Sequence, residues 1–153
     1  MRLSAHNLGN HVILSERFDR PFRSEQDFKK AFMTFIRADP SQIGTTPDVF
    51  EVENEEKEPG FPDLLVTYKS GHAEFFEMKL ADKSGNFKME VTQPRFYKSH
   101  PDLDISVVVW FNGAVFILDA AEVAETALSA ASVRLNIRSF RKGDVCKDRD
   151  FLS

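Results

Sequence analysis

The chain has one cysteine, Cys146, so no internal disulfide can form and a reducing, cytoplasmic setting is expected. A lone cysteine cannot complete a zinc site. His6, His11, His72 and His100, the four histidines, show no spacing typical of zinc motifs. Tryptophan and tyrosine are scarce, one and two residues against fifteen phenylalanines, which predicts a core filled with Phe. No run approaches the roughly 20 apolar residues of a membrane helix. The longest, 107–111 and 114–118, have the length of strands. Arg2 is not followed by an apolar signal segment, and no membrane partner is expected. A phosphate-binding Walker loop, a Gly-x-Ser-x-Gly elbow and a dinucleotide fingerprint are all missing, and His6-Asn7 lacks the partners of an HNH motif.

The 153 residues present suit one domain, with 42% hydrophobic and 29% charged residues. The net charge of −4 argues against a polyanionic partner until its distribution is considered. Residues 51–58 hold five Glu and Lys57, a local charge of −4, and the rest of the chain balances at 19 against 19. Three stretches, 17–37, 79–98 and 134–150, carry an excess of Lys and Arg and offer a basic face for phosphate contacts.

The periodicity predicts an α/β fold. Residues 1–21 read as an arm with a short strand at 12–14. Ser24 with Asp27 resembles a capping box, and Phe28, Ala31, Phe32, Phe35 and Ile36 continue at helical spacing as far as Asp39-Pro40. A strand is expected at 49–53, then a hairpin of 61–68 and 73–80 around Ser70-Gly71. A short helix at 90–99 tolerates Pro94 in its first turn. Strand 105–111 is apolar throughout, hence buried on both faces, and returns through Asn112-Gly113 into 115–118. Asp119 caps an Ala-rich helix to about 131, and 133–137 suggests a last strand before a charged tail. The core is expected at 24–118 within one domain of 1–153, with a C-terminal helix and basic tail at 119–153.

Alternation places Phe76, Met78 and Leu80 on one face of strand 73–80 and Phe75, Glu77 and Lys79 on the other. The hairpin returns Asp63, behind Pro62, toward the later half of that strand. Two converging carboxylates suit Mg²⁺ or Mn²⁺, and a neighbouring lysine can hold a water or offset charge at phosphorus.

Pro62-Asp63 followed by Glu77-Met78-Lys79 resembles the PD-(D/E)xK nuclease superfamily. With Gly60–Val66 before the turn and Thr92-Gln93 opening a helix, the order is most similar to its VRR-NUC and Holliday-junction-resolvase-like branch. The resemblance implies a restriction-endonuclease-like core, a central mixed sheet flanked by helices in the order α-β-β-β-α-β. It implies a metal at Asp63, Glu77 and the backbone carbonyl of Met78, catalysis by Asp63, Glu77 and Lys79, and a place for Gln93 beside the metal. Gln93 reads equally as an ordinary helix-start residue. The superfamily often adds an acid on its first helix. Glu25 lies about 35° from the apolar stripe and Asp27 about 125°, at about 100° per residue, so Glu25 is the candidate. Acids in a first helical turn also simply complement the dipole.

The expected function is a Mg²⁺- or Mn²⁺-dependent DNA endonuclease. It would be structure-specific or weakly sequence-specific, act on branched or junction DNA, and work as a homodimer where both strands are cut. Lys83, Lys88, Arg95 and Lys98 are the expected phosphate contacts, with Tyr97 on the same surface. The acidic run 51–58 reads as a turn, or as a source of one more ligand in Glu51 or Glu53. Two other functions fit the same residues: an inactive nucleic-acid-binding module on the same fold, and an acidic protein-interaction module.

Overall fold

The computed structural model describes residues 11–37, 47–52, 58–129 and 133–140, and the backbone of 145–147. The apolar run Ile105–Phe111 forms β6 at the middle of the sheet. Val107 and Val109 face one core while Val108 faces the other. The remaining strands are β1 (His11–Leu14), β2 (Asp48–Glu51), β3 (Leu64–Thr67), β4 (Ala73–Leu80), β5 (Asn86–Lys88), β7 (Ala114–Asp119), β8 (Arg134–Asn136) and β9 (Val145–Lys147). The helices are α1 (Glu25–Arg37), α2 (Thr92–Ser99) and α3 (Ala120–Ser129).

Seven strands pair in the order β2-β3-β4-β6-β7-β1-β9, and β5 pairs with β8 in a separate ribbon. The sheet is mixed. β4 and β6 run parallel because α2 carries the chain across between them, whereas β3–β4 and β6–β7 are antiparallel hairpins. At the β6–β7 turn, Asn112 and Gly113 both have positive φ (51° and 84°), the geometry of a type I′ turn. β1 lies inside the sheet, between β7 and β9. The sheet therefore draws on residues on both sides of 24–118, and the segments expected as an arm and a tail each contribute a strand.

Two cores follow from strand alternation. On one face α1 lays Phe28, Phe32, Phe35 and Ile36 over Leu64, Phe76, Met78, Val108 and Ile117. Phe32 meets Phe76 edge-on at 5.5 Å, and such aromatic contacts add to the burial of large apolar area. On the other face α2 and α3 supply Phe96, Tyr97, Val123 and Ala127 against Val107, Val109 and Leu118. The observed order α1-β2-β3-β4-α2-β6 matches the expected succession, with the short β5 inserted before α2. No helix among the described residues is long and apolar enough to cross a membrane.

Candidate active site

The β3–β4 register pairs Leu64 with Phe76, so the next residue back, Asp63, stands opposite Glu77. The chain fastens it there. Asp63 N donates to the Phe76 carbonyl at 3.0 Å, and its Oδ2 accepts from Met78 N at 3.3 Å. Gly60 sets the approach. Its φ is +89°, and a Cβ there would stand 2.2 Å from the Thr92 carbonyl, so only glycine lets this lead-in pack against the start of α2. Phe61 then seats on Phe75 and Phe96, with ring centres at 5.2 and 5.1 Å. Asp63 is thus positioned relative to both β4 and α2.

Glu77 and Lys79 share one face of β4 and are both buried, at 2% and 5% exposure. Lys79 Nζ lies 3.9 Å from Glu77 Oε2. Met78, between them, points its side chain into the α1 core, which leaves its main chain at the level of the acids.

Glu25 and Asp27 separate as their helical angles require. Asp27 is part of the helix start: its N–H donates to Ser24 Oγ (3.1 Å), and its Oδ2 accepts from Arg23 N (3.2 Å) and Arg20 Nη1 (3.4 Å). The Arg23 N–H, with the Arg20 guanidinium, holds its carboxyl below the usual range. Glu25 sits where the charges of Lys79 and Asp63 both act on it. The residue keeps an exposed flank, but partial burial of the carboxyl raises its pKa, opposed by the Lys79 ammonium and reinforced by the Asp63 charge and, more weakly, by Glu90. Asp63, Glu77 and Lys79 therefore converge toward the C-terminal end of β4, and the charges of Lys79 and Asp63 are felt at Glu25.

Two residues were not foreseen in their places. Tyr97, expected on a phosphate-binding or solvated surface, is instead 4% exposed, because α2 turns that face to the sheet. Its hydroxyl is buried without a hydrogen-bond partner among the described residues. Burial holds its pKa well above the ordinary value, and the charges of Glu77 and Asp63 push it further the same way. Glu90, just before α2, adds its charge to the field at Glu25. Tyr97 could have been found from its spacing of four from Gln93 and one from Phe96; the flanking Arg95 and Lys98 masked the pattern.

Gln93 is buried on that same face, but its Oε1 accepts the Glu90 N–H at 2.8 Å. Its carbonyl end thus closes the helix start, and its amide N–H₂ is the end left to act elsewhere. Glu51 is held by Gln26 (3.3 Å) and Lys29 (3.8 Å) on α1, and Glu58 by His100 (3.5 Å). Glu53 lies outside the described residues. Lys83, Lys88, Arg95 and Lys98 are all exposed. Arg95 projects from α2 about 160° away from Gln93 and Tyr97 at helical spacing, so it does not line the buried acids. A recess at the start of α1 is lined by Arg20, Arg23, Ser24, Gln26, Asp27 and Lys30.

The acids outnumber the one buried ammonium, an imbalance that a hard divalent cation with oxygen ligands fits. Comparisons with protein-family models, curated proteins and solved structures find no match.

Proposed function

We propose that the chain is a metal-dependent DNA endonuclease of the PD-(D/E)xK type on a restriction-endonuclease-like core. One observation carries this reading: Asp63 and Glu77 face each other across paired strands, with Lys79 two residues on and buried beside them. A buried lysine and two acids have no packing role that apolar residues would not fill at lower desolvation cost.

Asp63 and Glu77 would hold Mg²⁺ or Mn²⁺, with the Met78 carbonyl and Glu25 as further oxygens. The ion would offset phosphate charge and make a water more acidic. Hydrolysis adds the oxygen of water to phosphorus and a proton to the departing sugar oxygen. Lys79 orients the water or offsets the charge that builds on the phosphoryl oxygens. Tyr97 is a neutral phenol and would offer its hydrogen to an oxygen of bound substrate or water. Gln93 keeps the start of α2 closed and offers its amide N–H₂ toward the same face. Exposed cations would carry the phosphate backbone, which positions DNA without reading bases. Cleavage of both strands of a duplex would bring two copies together with two-fold symmetry.

The test is incubation with linear and branched DNA in Mg²⁺ or Mn²⁺ and then in EDTA. Cleavage should require the metal, and Asp63→Asn should abolish it while leaving the circular dichroism spectrum unchanged. Binding without cleavage in every metal would favour the inactive nucleic-acid-binding module. Cleavage that persists in EDTA would remove the metal mechanism.

A further inference from the structure

The opposite end of β4 carries a second polar cluster that the nuclease reading does not use. His72 precedes β4, Glu74 lies within it, and Asp104 precedes the neighbouring β6. His72 Nε2 stands 3.2 Å from Glu74 Oε1 and 3.0 Å from Asp104 Oδ2, and the three atoms lie within 4.8 Å of one another. Glu74 is 0% exposed. The Tyr68 hydroxyl donates to its other oxygen at 3.0 Å, and the His72 ring stacks on Tyr68 at 6.1 Å. One Nε2 has one hydrogen or one lone pair to offer, and two carboxylate oxygens converge on it.

We propose that His72, Glu74 and Asp104 form a binding site for a first-row transition ion, with Zn²⁺ the representative. A divalent ion among these donors would balance two carboxylates beside a neutral imidazole. Tetrahedral zinc with bonds of about 2.0 Å sets its ligand atoms roughly 3.3 Å apart, close to the two separations seen. An imidazole in the donor set favours zinc, copper or nickel over Mg²⁺ and Ca²⁺. Tyr68 holds Glu74 from behind, the usual arrangement around a metal-binding carboxylate. The side open to solvent, through His72 and Asp104 (side chains 36% and 21% exposed), is the entry path. No short sequence motif marks the site, because Asp104 joins from 32 residues away. Bound there, the ion would bolt the β3–β4 turn to the start of β6. The strand rise puts Glu74 about 10 Å from Glu77, so this ion is separate from any held by Asp63 and Glu77, and the proposal does not depend on nuclease activity.

The full chain, stripped with EDTA and exchanged into millimolar Mg²⁺ to occupy the oxygen-rich site, is titrated with Zn²⁺ by calorimetry and with Co²⁺ by visible absorption. One equivalent should bind, with the d–d bands of a four-coordinate cobalt site and a rise in Tm. His72→Ala and Asp104→Asn should each weaken binding by tenfold or more and remove the Tm rise. Tyr68→Phe leaves all three ligands in place, so it guards against loss of fold in the other variants; it should weaken binding by about tenfold. No equivalent bound in the presence of Mg²⁺, or affinity unchanged in both His72→Ala and Tyr68→Phe, would overturn the site.

Discussion

Tyr97 is the residue whose chemistry is hardest to explain by packing. Phenylalanine would fill the same volume without burying a hydroxyl that lacks a partner among the described residues. Removing such a group relieves a desolvation cost of roughly 1 kcal/mol or more. Tyr97→Phe should therefore raise the urea midpoint slightly. If the hydroxyl serves the reaction, the same change should lower kcat by about tenfold. Equal activity with raised stability would assign Tyr97 to packing alone. Lys79 makes the complementary case. Lys79→Ala, assayed with the divalent ion present, should keep DNA affinity and lose about 10²–10³ in kcat, because its contribution is made in the transition state. A loss of affinity with kcat intact at saturation would make it an ordinary phosphate contact. Glu77, Lys79 and Asp63 were legible in the sequence because strand alternation and a hairpin suffice to bring them together. Tyr97 and the His72, Glu74, Asp104 cluster were not, since each depends on how a helix or a distant strand docks.

Among the elements, two strands were legible to the residue. Strands 73–80 and 105–111 agree with β4 and β6 at both ends. The three-residue strands β5 and β9 were not. Asn86-Phe87-Lys88 has one apolar residue and no period to detect. β9 pairs with β1 across almost the whole chain, so its strand character comes from tertiary contact. The start of α1 was legible through its cap, and it yields a pH prediction. The carboxyl of Asp27 is held below its ordinary value of 3.8 by the Arg23 N–H and Arg20. Its folded pKa is lower than its unfolded one, so the stabilisation is present above about pH 4 and is lost as pH falls through the folded value. Asp27→Ala should lower Tm at pH 6, and the gap from the parent chain should narrow below pH 4. A gap constant across that range would mean that the carboxylate charge has no part in the cap.

Over the whole molecule the question is how a chain of net charge −4 would hold DNA. Part of the acidic excess is already engaged away from the buried acids: Glu51 on α1 and Glu58 on His100. Two sets of exposed cations are the candidates for phosphate contact. Arg23 and Lys30 line the recess at the start of α1. Lys88, which pairs across the β5–β8 ribbon with Arg134, and Arg95 and Lys98 on the outer side of α2 form the other. Proximity in sequence to Lys79 favours the second group, whereas the first gathers around one recess. The salt dependence of binding separates them, because each phosphate neutralised on duplex DNA contributes roughly −0.9 to the slope of log K against log salt. Binding is read by fluorescence anisotropy in Ca²⁺, to hold DNA without turnover, across a salt series. Reversal of Arg23 and Lys30 to Glu should flatten the slope by about 2 if DNA crosses the start of α1. Reversal of Lys88 and Arg95 should do the same if it follows the ribbon and α2. Because phosphate contacts carry no sequence information, affinity should fall alike for unrelated duplexes in whichever pair matters. A slope unmoved by both pairs would leave these cations as solvated surface, and the nuclease reading would lose its account of how substrate reaches Asp63 and Glu77.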